Sequence, residues 1–392
     1  MQKILFLFLS ILGSFRKFSL IIRGKKVEDI QVERIVSGKA WEDFCDQLKL
    51  AGEVLKYPGT PRDAFQQAEG IRYLTRLTRA GLEAYVEYND PAFPVLRRMV
   101  HETVKLGADN PDNYYFNAQI DGKNEYIIRG KRNTIHYIGF FTQNGNYGST
   151  GGLAPCGVLQ GADLKLDENG DFIIHLSKEK KGDNWLKIEE STTLLMVRQT
   201  FLHRDIEVPS ELHIENLNGS KAPAHLTPQR VEAGLKMAAM FVAGAPLLFA
   251  RWAKDFQKHV NTLPLFDPAV SNAAGGDADI IYYHSYWKLG EDEMLRIHVM
   301  PPDCDTWNFQ LNNYWMESLD YRYFTICINK GNAHYEADGS VVITIAHRDP
   351  GVKNWINTCG HFEGTMCWRW YRLLDKSTAI EPHCEVIKKN SL

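Results

Sequence analysis

The chain has 392 residues, 44% of them hydrophobic and 24% charged, with a formal net charge of −3. That composition is globular and able to bury more than one core, and a near-neutral balance without a long basic run excludes a nucleic-acid surface built on electrostatics. Seven cysteines, irregularly spaced and without a C-x-x-C pair, argue against a disulfide framework or structural zinc and for reduced, buried thiols.

The chain opens with Lys3 and the apolar stretch Ile4–Leu12. This is too short for the roughly 20 residues that span a bilayer, but it has the length of a signal-peptide core. Arg16, Lys17, Arg23, Lys25 and Lys26 follow, interleaved with Phe15, Phe18, Leu20 and Ile21, a mixture that suits an anionic membrane surface. Residues 1–26 are therefore expected to be a signal-like or membrane-surface segment, which favours a secreted, periplasmic or membrane-associated setting over the cytoplasm. Residues 27–59 form a lead-in with a helix near Ala40–Leu55.

From there the sequence runs twice. Thr60-Pro61 and Thr227-Pro228 each pair a capping threonine with a first-turn proline. Gly107, Asp109, Tyr114, Tyr115, Gly122 and Glu125 reappear 168 residues later as Gly275, Asp277, Tyr282, Tyr283, Gly290 and Glu293. Asn169-Gly170 matches Asp338-Gly339, Asn184-Trp185 matches Asn354-Trp355, and Arg198 matches Arg369, with the offset growing to 171. An offset that only grows is what loop insertions leave in a duplicated gene.

Each copy starts with helix: Pro61 to Val86 and Pro94 to Leu106 in the first, Pro228 to His259 in the second. Within the latter, Met237–Ala250 is uncharged and reads as a buried helix or hairpin broken at Gly244–Pro246. Strands follow at Tyr126–Ile128, Thr134–Phe141 and Phe172–Leu176, and at Leu295–Val299, Tyr323–Ile328 and Val341–Ile345. Asp121-Gly122, Asn169-Gly170 and Asp338-Gly339 supply hairpin turns. The fold class is α+β: two tandem pseudo-repeated modules, each with helices beside an antiparallel β-sandwich or jelly-roll-like sheet. The first module spans residues 60–209, a linker 210–226, the second module 227–372 and a tail 373–392.

The stretch Trp307–Leu311, the turn and strand Asp338–His347, Asn354-Trp355, Gly360–Gly364 and Trp368-Arg369-Trp370 together resemble the family catalogued as domain of unknown function 1214. The likeness covers residues 280–372. It implies a β-rich, jelly-roll-like fold and an envelope setting, and it carries no established activity or catalytic residues.

Function is sought where the copies differ. Copy two alone gathers His347, His361 and Glu363, with Arg348, Asp349 and His334 nearby. Histidines beside a carboxylate suit general acid–base work or a 2-His-1-carboxylate metal centre, although solvated or structural roles fit the same residues. Arg348, Asp349, Arg369 and Trp355 are the candidate ligand contacts. For the shared Asn-Trp pairs the structural reading is a tryptophan plugging the core while the asparagine satisfies loop backbone. For Arg198 and Arg369 it is a buried ion pair or carbonyl clamp. Arg72, Arg76 and Arg79 make a helical basic stripe, paired with Glu69 and Glu83 or open to an anion. Three functions stay open: binding of a small apolar or glycan-like ligand in a cleft between the modules; a hydrolase-like or metal-assisted enzyme centred on His347, His361 and Glu363; and a structural envelope protein. Metal, cofactor and oligomeric state are not legible in the sequence.

Overall fold

The computed structural model describes residues 26–145, 153–219 and 222–388. The N-terminal segment, apart from Lys26, lies outside them. Two helices make the lead-in, α1 (Val27–Val36) and α2 (Lys39–Ala51). Helix α3 (Ala64–Leu82) begins later than the Thr60-Pro61 pair indicates. Its cap is Asp63, which accepts from the Gln66 amide at 3.0 Å, while Thr60 is buried and donates to the Tyr314 hydroxyl at 3.4 Å. Helix α4 (Pro228–Phe256) does start at its threonine cap, Thr227 accepting from the Arg230 amide at 3.2 Å.

The break at Gly244–Pro246 is absent, for α4 runs continuously through Pro246. An interior proline forfeits a backbone hydrogen bond and costs about 3 kcal/mol. Burial of Phe241, Val242, Ala245, Phe249 and Ala253 against Tyr73, Leu77 and Phe44 offsets that cost. By length and composition α4 is apolar enough to cross a membrane, but its apolar face forms the centre of this helical core. A short helix α5 (Pro268–Ala273) follows it.

Among the described residues the strands before α4 are β1 (Arg97–Val100), β2 (Asn113–Gln119), β3 (Tyr126–Lys131), β4 (Tyr137–Asn144), β5 (Ala154–Gln160), β6 (Asp171–Ser177), β7 (Trp185–Lys187), β8 (Thr192–Thr200) and β9 (Glu211–Asn216). They form sheets ordered β1-β2-β8-β4-β5 and β7-β6-β3-β9. After α5 come β10 (Ile280–Lys288), β11 (Glu293–Val299), β12 (Cys304–Leu311), β13 (Cys327–Asn329), β14 (Val341–Ala346), β15 (Trp355–Asn357), β16 (Glu363–Leu373) and β17 (His383–Lys388). Their sheets are ordered β10-β16-β12-β13 and β15-β14-β11-β17. Apart from β1, the second pair of sheets repeats the first strand for strand. In each module the two sheets share one apolar core, with Ile128, Phe140, Ile174 and Val197 in the first and Ile297, Trp307, Ile343 and Trp368 in the second. The pairing is antiparallel except for the short strands β7 and β15, which lie parallel to β6 and β14.

The register fixes which residues correspond. Arg198 lies opposite Tyr115 and Arg369 opposite Tyr282, so Tyr115, rather than Tyr114, is the equivalent of Tyr282. The offset is 167 there and 169 at β3 and β11, where Ile128 and Ile297 face Ile174 and Ile343. A uniform 168 straddles this change. Gly170 and Gly339 occupy matching turns with φ of 79° and 87°, as hairpin turns require. Gly122 keeps a negative φ; a side chain there would collide with the Glu189 carbonyl.

Three segments differ from their expected form. Residues 94–106 carry β1 instead of a helix, because Arg97–Val100 extends along β2 and covers its edge. The stretch read as a linker contains β9, and the stretch read as a tail contains β17. Both are edge strands that place charged residues (Glu211, Glu215; Glu385, Lys388) on the open side, which hides them from an apolar-pattern search.

Candidate functional site

The predicted catalytic trio does not assemble. His361 is buried, its Nε2 2.7 Å from Glu69 Oε2 in α3 and its Nδ1 3.0 Å from the Thr358 carbonyl. His347 meets the other side of Thr358, with Nδ1 2.9 Å from its hydroxyl and Nε2 3.2 Å from the Gly290 carbonyl. Glu363 pairs instead with Lys288 at 3.1 Å. Among the described residues no group of three or more His, Cys, Asp or Glu side chains is arranged to hold a metal ion. Arg348 and Asp349 are exposed, and Asp349 caps its own turn by accepting from the Gly351 amide at 2.8 Å.

Glu69 belongs to a buried polar pillar that sequence reasoning missed. Asn313 donates to both Glu69 (3.1 Å) and Glu317 (3.0 Å), Arg72 pairs with Glu69 at 2.9 Å and Arg76 with Glu317 at 2.6 Å. Of the basic stripe of α3, Arg76 thus ties the helix to the second module, Arg72 pairs within α3, and Arg79 donates to the Thr103 carbonyl and hydroxyl. The Asn-Trp pairs are fold elements too. Asn184 and Asn354 each bridge the backbone of one residue, Lys165 and His334, by accepting from its amide and donating to its carbonyl. Trp185 and Trp355 lie half-buried at the sheet rim, donating to the Ser177 and Ala346 carbonyls, instead of plugging the core.

Among the predicted site residues, Arg369 lines a cavity. The outer face of β2 and β8 and the outer face of β10 and β16 look toward each other across the gap between the modules. Alternation puts Leu195 and Val197 inside the first sandwich and Met196 and Arg198 outside it; likewise Trp368 and Trp370 point in, and Arg369 and Tyr371 out. Between the two faces, roofed by Phe249 and Trp252 of α4, lies a cavity of about 130 Å³. Its walls carry Tyr115 and Arg198 from one module and Tyr282, His284, Arg369 and Tyr371 from the other.

The two arginines are reciprocal clamps. Arg198 donates to the Gly275 carbonyl at 2.5 Å, in the loop before β10, and Arg369 donates to the Ala108 carbonyl, in the equivalent loop before β2. Other contacts repeat the pattern: Gln160 donates to Asp279 at 2.9 Å, and its counterpart Asn329 hydrogen-bonds Asp112. The modules are therefore related by a pseudo-twofold axis. On that axis two equivalent residues touch, His136 Nε2 lying 3.2 Å from Asp305 Oδ2.

Burial sets the protonation states of the wall. It pushes the Tyr282 phenol up to about 12, against the pull of Arg198, and raises Tyr115 and Tyr371 as well. It drives His284 down to about 3, helped by the positive charge of Arg369. His284 Nδ1 has no hydrogen-bond partner, and its Nε2 is 3.7 Å from Cys367, whose thiol burial pushes up to about 11. A neutral imidazole beside a protonated thiol is not an activated nucleophile. At neutral pH the wall presents neutral phenols, a neutral histidine and two guanidinium groups, and Asp109, bonded to Ser318, also lies on the lining.

A duplicated β-sandwich protein with an arginine-walled cavity between its halves is the class defined by this fold and site. The family model described as protein of unknown function (DUF1214) matches residues 290–373. The crystal structure of an uncharacterized protein from Burkholderia cenocepacia superposes with a TM-score of 0.89 at 45% identity, covering 92% of this chain and 99% of that one. The chain belongs to the DUF1214 family. A further solved structure, the VPA0106 protein from Vibrio parahaemolyticus, gives a TM-score of 0.47 at 12% identity over 87% of this chain and 100% of the other. No curated protein matches.

Proposed function

We propose that the protein binds a small molecule in the cavity between its modules. The observation that carries this reading is the wall itself: two buried arginines and a buried imidazole whose Nδ1 has no partner line a space roofed by aromatic side chains. Ligand sites in proteins combine an apolar lining with a few convergent polar groups in this way. A volume of about 130 Å³ suits one ring or a short chain rather than an oligosaccharide. The many aromatics do not themselves argue for a glycan, since Trp287, Trp307, Trp368 and Trp370 are consumed by the second core.

Ligand-observed NMR with benzamide, a neutral ring of suitable size, tests the reading. Saturable binding is expected in the native protein, and its loss in Asn117→Phe, which places a ring in the cavity from β2 while leaving both arginine clamps in place. Equal binding to native protein and Asn117→Phe would sink the proposal, as would no binding to either.

A further inference from the structure

The cavity's pseudo-twofold symmetry is broken at one charge. Arg198 lies 3.5 Å from the Asp277 carboxylate, two residues beyond the carbonyl it clamps. Two residues beyond the carbonyl clamped by Arg369 stands Asn110, an uncharged amide. Asn110 is fully occupied, accepting from Asn308 at 2.8 Å and donating to the Tyr371 hydroxyl at 2.6 Å.

The charges nearby have other partners. Asp109 accepts from the Ser318 amide and hydroxyl and feels Lys105 ahead of Arg369; Asp112 feels Arg204 ahead of Arg369. Among the described residues no carboxylate lies within ion-pair distance of Arg369, although this guanidinium is almost wholly buried. Neutral acceptors take three of its five N–H donors: Gln310 at 2.6 Å, Asn308 at 3.3 Å and the Ala108 carbonyl. Buried charges are ordinarily paired, because desolvation without a counter-charge is costly.

We infer that the missing counter-charge is the ligand's: the cavity takes a small monocarboxylate, its anionic end on Arg369 and its apolar remainder under Phe249 and Trp252. This rests on the cavity reading above and names the ligand class. A single guanidinium with no carboxylate in direct contact calls for a single negative charge, and its planar fork matches a carboxylate. His284 Nδ1, unpartnered on the same wall, offers a second polar contact.

The test compares benzoate with benzamide, which differ in charge and little in shape. In native protein benzoate should bind at least about tenfold more tightly, the ratio expected when a buried charge gains its partner. Asn110→Asp supplies the carboxylate that the other module already has and keeps the Arg369 clamp, so it should bring the ratio close to one. Arg369→Gln should do the same, and because that variant also loses a clamp, a thermal melt accompanies it. Equal affinities in native protein overturn the inference but leave the cavity reading standing. Binding of neither compound overturns the cavity reading itself. A preference for benzoate that survives in Asn110→Asp removes Arg369 as the receptor.

Discussion

A buried imidazole makes the cavity wall sensitive to acid. Unfolded, His284 titrates near its ordinary 6.5; folded, it stays neutral down to about 3 because burial and Arg369 oppose its charge. Between those values the unfolded chain binds the extra proton, so this group makes stability fall as the pH drops from 6.5 toward 3. Well below 6.5 the loss approaches about 1.4 kcal/mol per pH unit. Urea unfolding of native protein and His284→Leu at pH 7, 6 and 5 isolates the effect from the carboxylates. The native protein should lose stability faster than the variant, and parallel curves would show that the histidine charges freely in the fold. The arginines are different: they stay charged throughout, and their cost is met by clamped carbonyls, by Asp277 and, on the reading above, by a ligand.

Helix α4 is held to α3 by contacts that leave no room for side chains. A methyl on Gly234 would lie 2.3 Å from the Tyr85 carbonyl, at the single π turn ending α3 (Glu83–Glu87). Helix propensity alone credits Gly→Ala with up to about 1 kcal/mol. The clash opposes it, and overpacking of this kind costs about 1–3 kcal/mol. Gly234→Ala is therefore expected to lower stability by about 1–2 kcal/mol in denaturant titration, and a stabilised variant would mean the helices slide apart freely. The same helix shows what sequence can convey. Its start was legible in Thr227-Pro228, because capping is local chemistry. Its continuity through Pro246 was not, since that depends on packing from residues more than a hundred positions away. The strands were legible from alternation, but their exact equivalence was not: a one-residue slip between copies leaves aromatic still matched to aromatic at Tyr114 and Tyr115. Arg198 and Arg369 were visible as a shared pair with a clamping role open to them, whereas the Glu69–His361 contact joins two ends of the chain that no local pattern connects.

At the scale of the molecule, the helical core is assembled from both copies. Phe44, Tyr73 and Leu77 come from before the first sandwich, Phe241, Val242 and Phe249 from after it, and Tyr314 and Trp315 from the second sandwich itself. Cutting the chain after Gly219 leaves each piece with its own sandwich core but only one part of the helical core that covers it. Residues 1–219 and 220–392 are expected to be insoluble or unfolded when expressed singly, and to recover as a one-to-one complex when expressed together. Soluble, cooperatively melting single fragments would contradict this assignment of the core.

The contact between His136 and Asp305 has a consequence for the protein's past. These residues are equivalent, so in a symmetric pair of separate half-length chains the same side chain would face its own copy across the axis, and the reciprocal arginine contacts would make an isologous interface. A side chain that meets its own copy cannot supply a cation to one side of the contact and an anion to the other. Two copies within one chain are free of that constraint: one presents an imidazole, the other a carboxyl whose pKa His136 and Arg372 lower to about 2 against the effect of burial. The same freedom let Asn110 and Asp277 part ways. Identity at these four positions would restore the symmetry of those two contacts, whereas His284, which corresponds to Asn117, would still keep the cavity walls unequal.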